Sequence, residues 1–188
     1  MTETVNIYFT APAGAVREEL LNDSNRKLAK DLGFDIGLNE HKEELTEDQW
    51  AEELADVEAL ITTWGAPKLT KRVLSKNDCL KIVAHAGGTV KTLVTPEVYK
   101  RGIKVVNANH EMSRLVAEWS LMMTLIGLKR PLEFAQFSDI IPLRWDNRNR
   151  GKSINSAVIG IVGFGDISKH LLHFLSTFET AKIIVHSN

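Results

Sequence analysis

The chain has 188 residues, 44% of them hydrophobic and 25% charged, with a formal net charge of −1. These are ordinary values for a globular protein of one or two domains and exclude wholesale disorder; a chain of this length buries roughly 70% of its unfolded surface. One cysteine, Cys79, excludes an intramolecular disulfide framework and a multi-cysteine zinc cluster, and the near-neutral balance gives no global case for a nucleic-acid partner.

The first residues, Met1 to Val5, carry no basic region and no long apolar run behind them, which argues against a secretory signal. The most apolar stretch, Leu115 to Leu128, is interrupted by Glu118 and is shorter than the roughly 18 residues of a membrane span. The expectation is a cytoplasmic protein without a membrane partner. Charge is uneven: residues 1–50 hold 11 acids and 5 bases, residues 51–188 hold 13 acids and 18 bases. A solvated acidic surface at the front accounts for this split; a basic half suited to an anionic cofactor is the other reading.

In chain order, Val5 to Phe9 reads as a strand closed by Ala11-Pro12-Ala13-Gly14. A helix follows, with Val16, Leu20, Leu21, Leu28 and Leu32 near helical spacing and Gly33 as its stop. Phe34 to Leu38 is a second strand. Thr46 to Gln49 has the pattern of a capping box and opens a helix through Leu54. Ala59 to Thr62 reads as a buried strand, Leu69 to Leu74 as a short helix, and Lys81 to Ala84 as the next strand. Thr95-Pro96-Glu97 combines a capping hydroxyl, a first-turn proline and an acid, so a helix starts there and stops at Arg101-Gly102. Ile103 to Val106 is a strand again. Strand and helix alternating with short connections predict a parallel sheet covered on both faces: an α/β, flavodoxin-like domain over residues 1–106.

From about Ser113 to Phe137 the pattern is helical, uninterrupted until Pro131, and apolar around much of its circumference. Such a helix is expected between two bodies or at an oligomer contact. The segment Ser138 to Lys152 is polar and irregular, with Trp145 as its large anchor. Periodicity then returns: Ala157 to Val162 as a strand, Ile167 to Phe178 as a helix, Lys182 to Val185 as a strand.

The most informative stretch is Ile159-Gly160-Ile161-Val162-Gly163-Phe164-Gly165-Asp166-Ile167-Ser168. A buried strand runs into Gly-x-Gly and then into an amphipathic helix bearing Leu171, Leu172, Leu175 and Phe178. Gly163 suits the tight turn. Gly165 lets backbone approach a pyrophosphate seated on the free amides and positive end of the helix. Ser168 replaces the third glycine with another small residue. Dinucleotide folds carry an acid at the end of the second strand to hold the ribose hydroxyls. That place falls at His186-Ser187-Asn188, where no carboxylate stands, so NAD and NADP both remain open.

From Leu80 onward the chain resembles the D-isomer-specific 2-hydroxyacid dehydrogenases, the family of phosphoglycerate dehydrogenase and the glyoxylate and hydroxypyruvate reductases. Four blocks carry the likeness: Leu80 to Gly88, Arg101 to Ala108, Val116-Ala117-Glu118 and Val158 to Gly165. The resemblance implies a substrate-type domain over 1–106 and the first part of a Rossmann NAD(P)-binding domain over 107–188. It implies that Gly87, Gly88 and Thr89 offer backbone amides to the carboxylate of a small 2-hydroxy or 2-oxo acid. It implies that the turn Gly163, Phe164, Gly165, Asp166 and Ile167 holds the pyrophosphate of NAD or NADP. It also implies a homodimer through the 113–150 helix and arm. The family's substrate arginine, carboxylate and proton-relaying histidine are expected beyond Asn188, so no catalytic residue is assigned within the chain.

Several residues invite a bland reading beside a functional one. His85, at a strand end beside the carboxylate loop, is a candidate pocket residue or a structural histidine. His170 and His173 have a spacing that can ligate metal, but no third ligand stands near in sequence, so no metal site is expected. Arg144, Arg148 and Arg150 fit a solvated arm, Glu118 a dipole or interdomain role, and Cys79 lacks an evident base. The leading expectation is an oxidoreductase of small 2-hydroxy acids. The alternatives are a non-catalytic nucleotide-binding or subunit-interaction module from that family, and a cofactor-free flavodoxin-like domain.

Overall fold

Strand β1 (Asn6–Phe9) belongs to a five-stranded parallel sheet, with the edge strand β2 (Asp35–Leu38) on one side and the central strand β3 (Ala59–Thr62) on the other; β4 (Ile82–His85) and β5 (Lys104–Asn107) continue beyond β3. The order β2-β1-β3-β4-β5 is the doubly wound, flavodoxin-like arrangement that the alternating pattern predicts. This is a computed structural model that describes residues 5–132, 151–180 and 182–187. The residues fall into two units, Met1–Asn109 and His110–Asn188.

Alternation along the strands sets the two faces of the first sheet. Tyr8, Leu60 and Val83 enter a large core with Trp50, Leu54, Val73, Leu74 and Val98, whereas Phe9 and Ile61 pack on the opposite face with Ala11, Leu20 and Leu21. Asn77, 2% exposed, fastens the entry to β4: its amide donates to the carbonyls of Leu54 and Val57, and its Oδ1 accepts from the backbone N–H groups of Cys79 and Leu80.

Three local expectations are corrected. The first long helix is two, α1 (Ala15–Leu20) and α2 (Asp23–Asp31), because Asn22 caps the second by accepting from the Asn25 amide. Leu69 to Leu74 is not a helix but a run of turns, with Leu69 bridged to Val94. Thr95 does not cap α4 (Pro96–Lys100); its hydroxyl donates to the Leu69 carbonyl instead, 2.6 Å away. The capping box at Thr46 and Gln49 does form, at the start of α3 (Glu47–Glu53).

In the second unit, α5 (Asn109–Lys129) ends where Arg130 takes a positive φ of 55°. The amide of Lys152 then closes the Leu128 carbonyl. Strand β6 (Val158–Val162) pairs in parallel with β7 (Lys182–His186), connected by α6 (Asp166–Leu175). Ile154, Ile161 and Leu175 form the core, with Leu121, Leu125 and Leu128 of α5 against it. The apolar circumference of α5 is only partly used within this unit: Leu115, Trp119, Met122 and Met123 stay exposed. The arm, with Arg144, Trp145, Arg148 and most of Ser138 to Lys152, lies outside the described residues.

Candidate functional site

The glycine turn follows β6 directly. Gly163 has φ +94°, a backbone conformation that L side chains rarely adopt, and its amide donates to the His186 carbonyl at 2.7 Å, tying the turn to the end of β7. Gly165 differs. Its φ of −83° and ψ of −170° suit any residue, and a Cβ built on it meets no atom of the described residues within 4 Å. Neither its conformation nor a protein neighbour asks for glycine. The amides of Gly165, Asp166 and Ile167 donate to no acceptor among the described residues, as expected for the first turn of a helix. Free N–H groups, the helix dipole and open space on Gly165 are features that suit an anion.

Phe164 and Ile167 stand exposed beside this turn. Asp166, first residue of α6, is partly exposed and lies 3.5 Å from the Lys169 ammonium and 3.9 Å from the His110 ring. At the carboxyl end of β7 the chain presents His186, level with Val162; of the three positions expected to hold the acid of dinucleotide folds, 186 and 187 are described and 188 lies outside the described residues.

In the first unit, β4 ends at His85 and runs into Ala86-Gly87-Gly88-Thr89. The loop is tied down on one side: Ala86 N–H donates to the Thr62 carbonyl, Gly87 N–H to the His85 carbonyl, and Ala108 N–H to the carbonyls of His85 and Gly87. Thr63 donates its hydroxyl to the Ala86 carbonyl. The amides of Gly88 and Thr89 are left without an acceptor among the described residues. Two adjacent free amides at a strand's carboxyl end suit a carboxylate, which accepts several charge-assisted hydrogen bonds at once.

His85 is 6% exposed and sits in register with Thr62, whose hydroxyl is 3.0 Å from Nδ1. Burial lowers its pKa from the ordinary histidine value, so the ring is neutral near pH 7. A Cβ on Gly87 would come within 2.6 Å of His85 Nε2. Glycine at 87 is therefore required by the imidazole, a dependence between two loop residues that the linear pattern does not display.

The other candidates separate. The His170 ring lies tilted beside that of His110, centroids 6.0 Å apart, and His173 lies against Phe174. No group of three or more potential metal ligands occurs among the described residues. Glu118 pairs with Arg114 one turn away at 3.5 Å. The Cys79 thiol approaches the Val57 carbonyl at 3.5 Å. No helix among the described residues is long and apolar enough to cross a membrane. Sequence reasoning did not single out the cavity of about 600 Å³ at the ends of β1, β2 and β3, lined by Thr10, Asn39, Trp50 and Lys68 among others. Its lining comes from the segments after β1, β2 and β3 and from α3, and no local motif marks it.

A family model described as D-isomer specific 2-hydroxyacid dehydrogenase, catalytic domain, matches residues 15–187. Among curated proteins, the chain is 28% identical over 166 residues to a D-3-phosphoglycerate dehydrogenase of Sus scrofa, covering 87% of this chain and 30% of that protein. It is 25% identical over 130 residues to a hydroxypyruvate reductase of Thermotoga maritima, covering 69% of this chain and 42% of that one. Among solved structures, a phosphoglycerate oxidoreductase from Rhizobium etli superimposes with a TM-score of 0.73 at 20% identity, over 97% of this chain and 56% of that one. The NAD-complexed D-isomer specific 2-hydroxyacid dehydrogenase of Lactobacillus delbrueckii gives 0.73 at 18% identity, over 97% and 53%. These structural likenesses speak for the fold. The chain spans well under half the length of the curated relatives named here.

Proposed function

The chain belongs to the D-isomer specific 2-hydroxyacid dehydrogenase family, and from that membership we propose an NAD(P)-dependent oxidoreductase that interconverts a small 2-hydroxy acid and its 2-oxo acid. The observation that carries the reading is Gly165: a glycine that neither backbone conformation nor packing requires, at the head of a helix with unused amides. The residues fit a dinucleotide. Gly163 makes the turn, and the Gly165, Asp166 and Ile167 amides hold the pyrophosphate, with Phe164 beside them. The bound nicotinamide supplies the hydride acceptor or donor. The Gly88 and Thr89 amides, on the loop that begins at Gly87, hold the substrate carboxylate, fixing which carbon is presented. No proton donor is assigned among the described residues.

The stretch His186-Ser187-Asn188 brings no carboxylate to repel a 2′-phosphate, so either NAD or NADP suits this end of the strand. The exposed Leu115, Trp119, Met122 and Met123 of α5 support a homodimer through the 113–150 helix and arm, with a second copy covering that apolar face. We place the reaction in the cytoplasm, in keeping with a thiol, Cys79, that is free.

The test uses the full-length protein: titration with NADH and NADPH by fluorescence, then coenzyme oxidation with glyoxylate, hydroxypyruvate and pyruvate. Saturable binding with turnover of at least one acid is expected. Saturable binding without turnover of any 2-oxo acid would leave a nucleotide-binding module. No saturable change up to millimolar coenzyme would remove the cradle and the function together.

A further inference from the structure

His85 reaches the carboxylate loop with one ring edge engaged and the other open. Thr62, fully buried, has a single side-chain hydrogen-bond partner among the described residues, His85 Nδ1 at 3.0 Å. Were Nδ1 the donor, the Thr62 hydroxyl proton would be sealed away without an acceptor, a costly arrangement for a buried group. The hydroxyl therefore donates to Nδ1, and the ring's proton resides on Nε2. Nε2 has no hydrogen-bond partner among the described residues. It is also not one of the side-chain polar atoms among them that are both sealed from solvent and unpaired, Thr10 Oγ1 and Arg17 Nε. The open Nε2–H thus emerges over Gly87, at the head of the loop whose next two amides are free.

We propose that His85 is a substrate-binding residue: its Nε2–H, oriented by Thr62, donates to the 2-oxo acid held by the Gly88 and Thr89 amides. This rests on the function proposed above and adds a side-chain donor to what is otherwise backbone recognition. Because the buried ring stays neutral, it binds the acid as a hydrogen-bond donor, not as a cation. Thr62 is a positioning residue that holds the ring's tautomer and orientation.

Two isosteric substitutions separate the two ring edges. His85→Asn keeps a polar atom near Nδ1 for Thr62 and removes the Nε2 donor. His85→Gln places an amide donor near Nε2 and forgoes the Thr62 contact. The experiment measures, on the full-length protein with saturating NADH, the Kd of oxalate by calorimetry, KM and kcat for glyoxylate, and the melting temperature. His85→Asn should weaken oxalate about ten- to a hundredfold, the worth of one hydrogen bond to a charged group. It should raise the glyoxylate KM by a similar factor and leave the KM for NADH unchanged. His85→Gln should stay within about threefold of wild type in oxalate affinity. Long-range 1H–15N spectra should show the His85 proton on Nε2 and its resonance shifting with oxalate. Oxalate affinity unaltered in His85→Asn, equal losses in both variants, or a wild-type protein that binds no oxalate would each overturn the proposal. The calorimetry needs no turnover, so an inactive protein that still binds oxalate through His85 would sink the proposed reaction while upholding the His85 assignment.

Discussion

Replacing Gly165 by valine separates ligand binding from folding. The glycine's φ of −83° and ψ of −170° lie in the extended region, which a β-branched residue occupies comfortably, and its Cβ direction is empty to 4 Å. Valine is a poorer N-cap than glycine, so the folding cost should stay at about 1 kcal/mol or less. The new methyl groups stand where a pyrophosphate must come to reach the amides of Asp166 and Ile167. Losing two hydrogen bonds to a charged group, at about 1.5–3 kcal/mol each, weakens a dinucleotide at least a hundredfold. Fluorescence titration with NADH, alongside a thermal melt, reads both quantities in the same sample. Gly163→Val is the contrasting control: at φ +94° a β-branched residue is strained by about 1–3 kcal/mol, so folding and binding should fall together. A Gly165→Val protein with wild-type NADH affinity would refute the cradle. One that melts as low as Gly163→Val would refute the claim that position 165 is free of packing.

Asn77→Ala strips four hydrogen bonds from buried backbone groups at the start of β4 and should cost about 2–5 kcal/mol by urea unfolding; a loss under about 1 kcal/mol would mean that water takes over those groups. Gly151→Ala sets a Cβ 2.8 Å from Lys129 Cα and O and 3.0 Å from the Leu128 carbonyl, all backbone, so overpacking of about 1–3 kcal/mol is expected and an unchanged melt would contradict it. His85 has a folded pKa below its unfolded value, so the unfolded chain binds more protons and stability falls as pH drops through about 6.5. His85→Gln should flatten that part of a urea-midpoint profile taken between about pH 5 and 7.5, and equal slopes would show that other groups carry it.

The parallel α/β architecture was legible because its information is local and repeated: short apolar strands such as Asn6–Phe9, most of them followed by a turn and a helix start. What misled was single-residue chemistry with two uses. Asn22 reads as one polar position on a helix until its side chain is seen accepting from the Asn25 amide and dividing the helix. Thr95 has the right type and place for a cap, yet the carbonyl of Leu69, 26 residues away, takes its hydroxyl. Run 69–74 has helical composition, but its first residue is held by the bridge of Leu69 to Val94, and turns follow. The glycine turn was visible as a motif. The pairing of Thr62 with His85 was not, because it depends on the register of two strands 23 residues apart.

Glycine serves three separate ends in these two loops, and only one of them implies a ligand. Gly163 is there for its dihedral angle, a requirement of the chain itself. Gly87 is there because the His85 imidazole occupies the place of its side chain, a requirement of a neighbour. Gly165 answers to neither: its angles are ordinary and its surroundings empty. On the proposed function, the missing side chain at 165 leaves room for the pyrophosphate, and the unused amides beside it suit its charge. The loop after β4 would take a carboxylate by a different route, keeping two amides free while a histidine of the protein's own fills the space above Gly87. An alanine at 165 would therefore be expected to bind dinucleotide worse without unfolding, whereas an alanine at 87 must displace His85 and would disturb the loop before any substrate arrives.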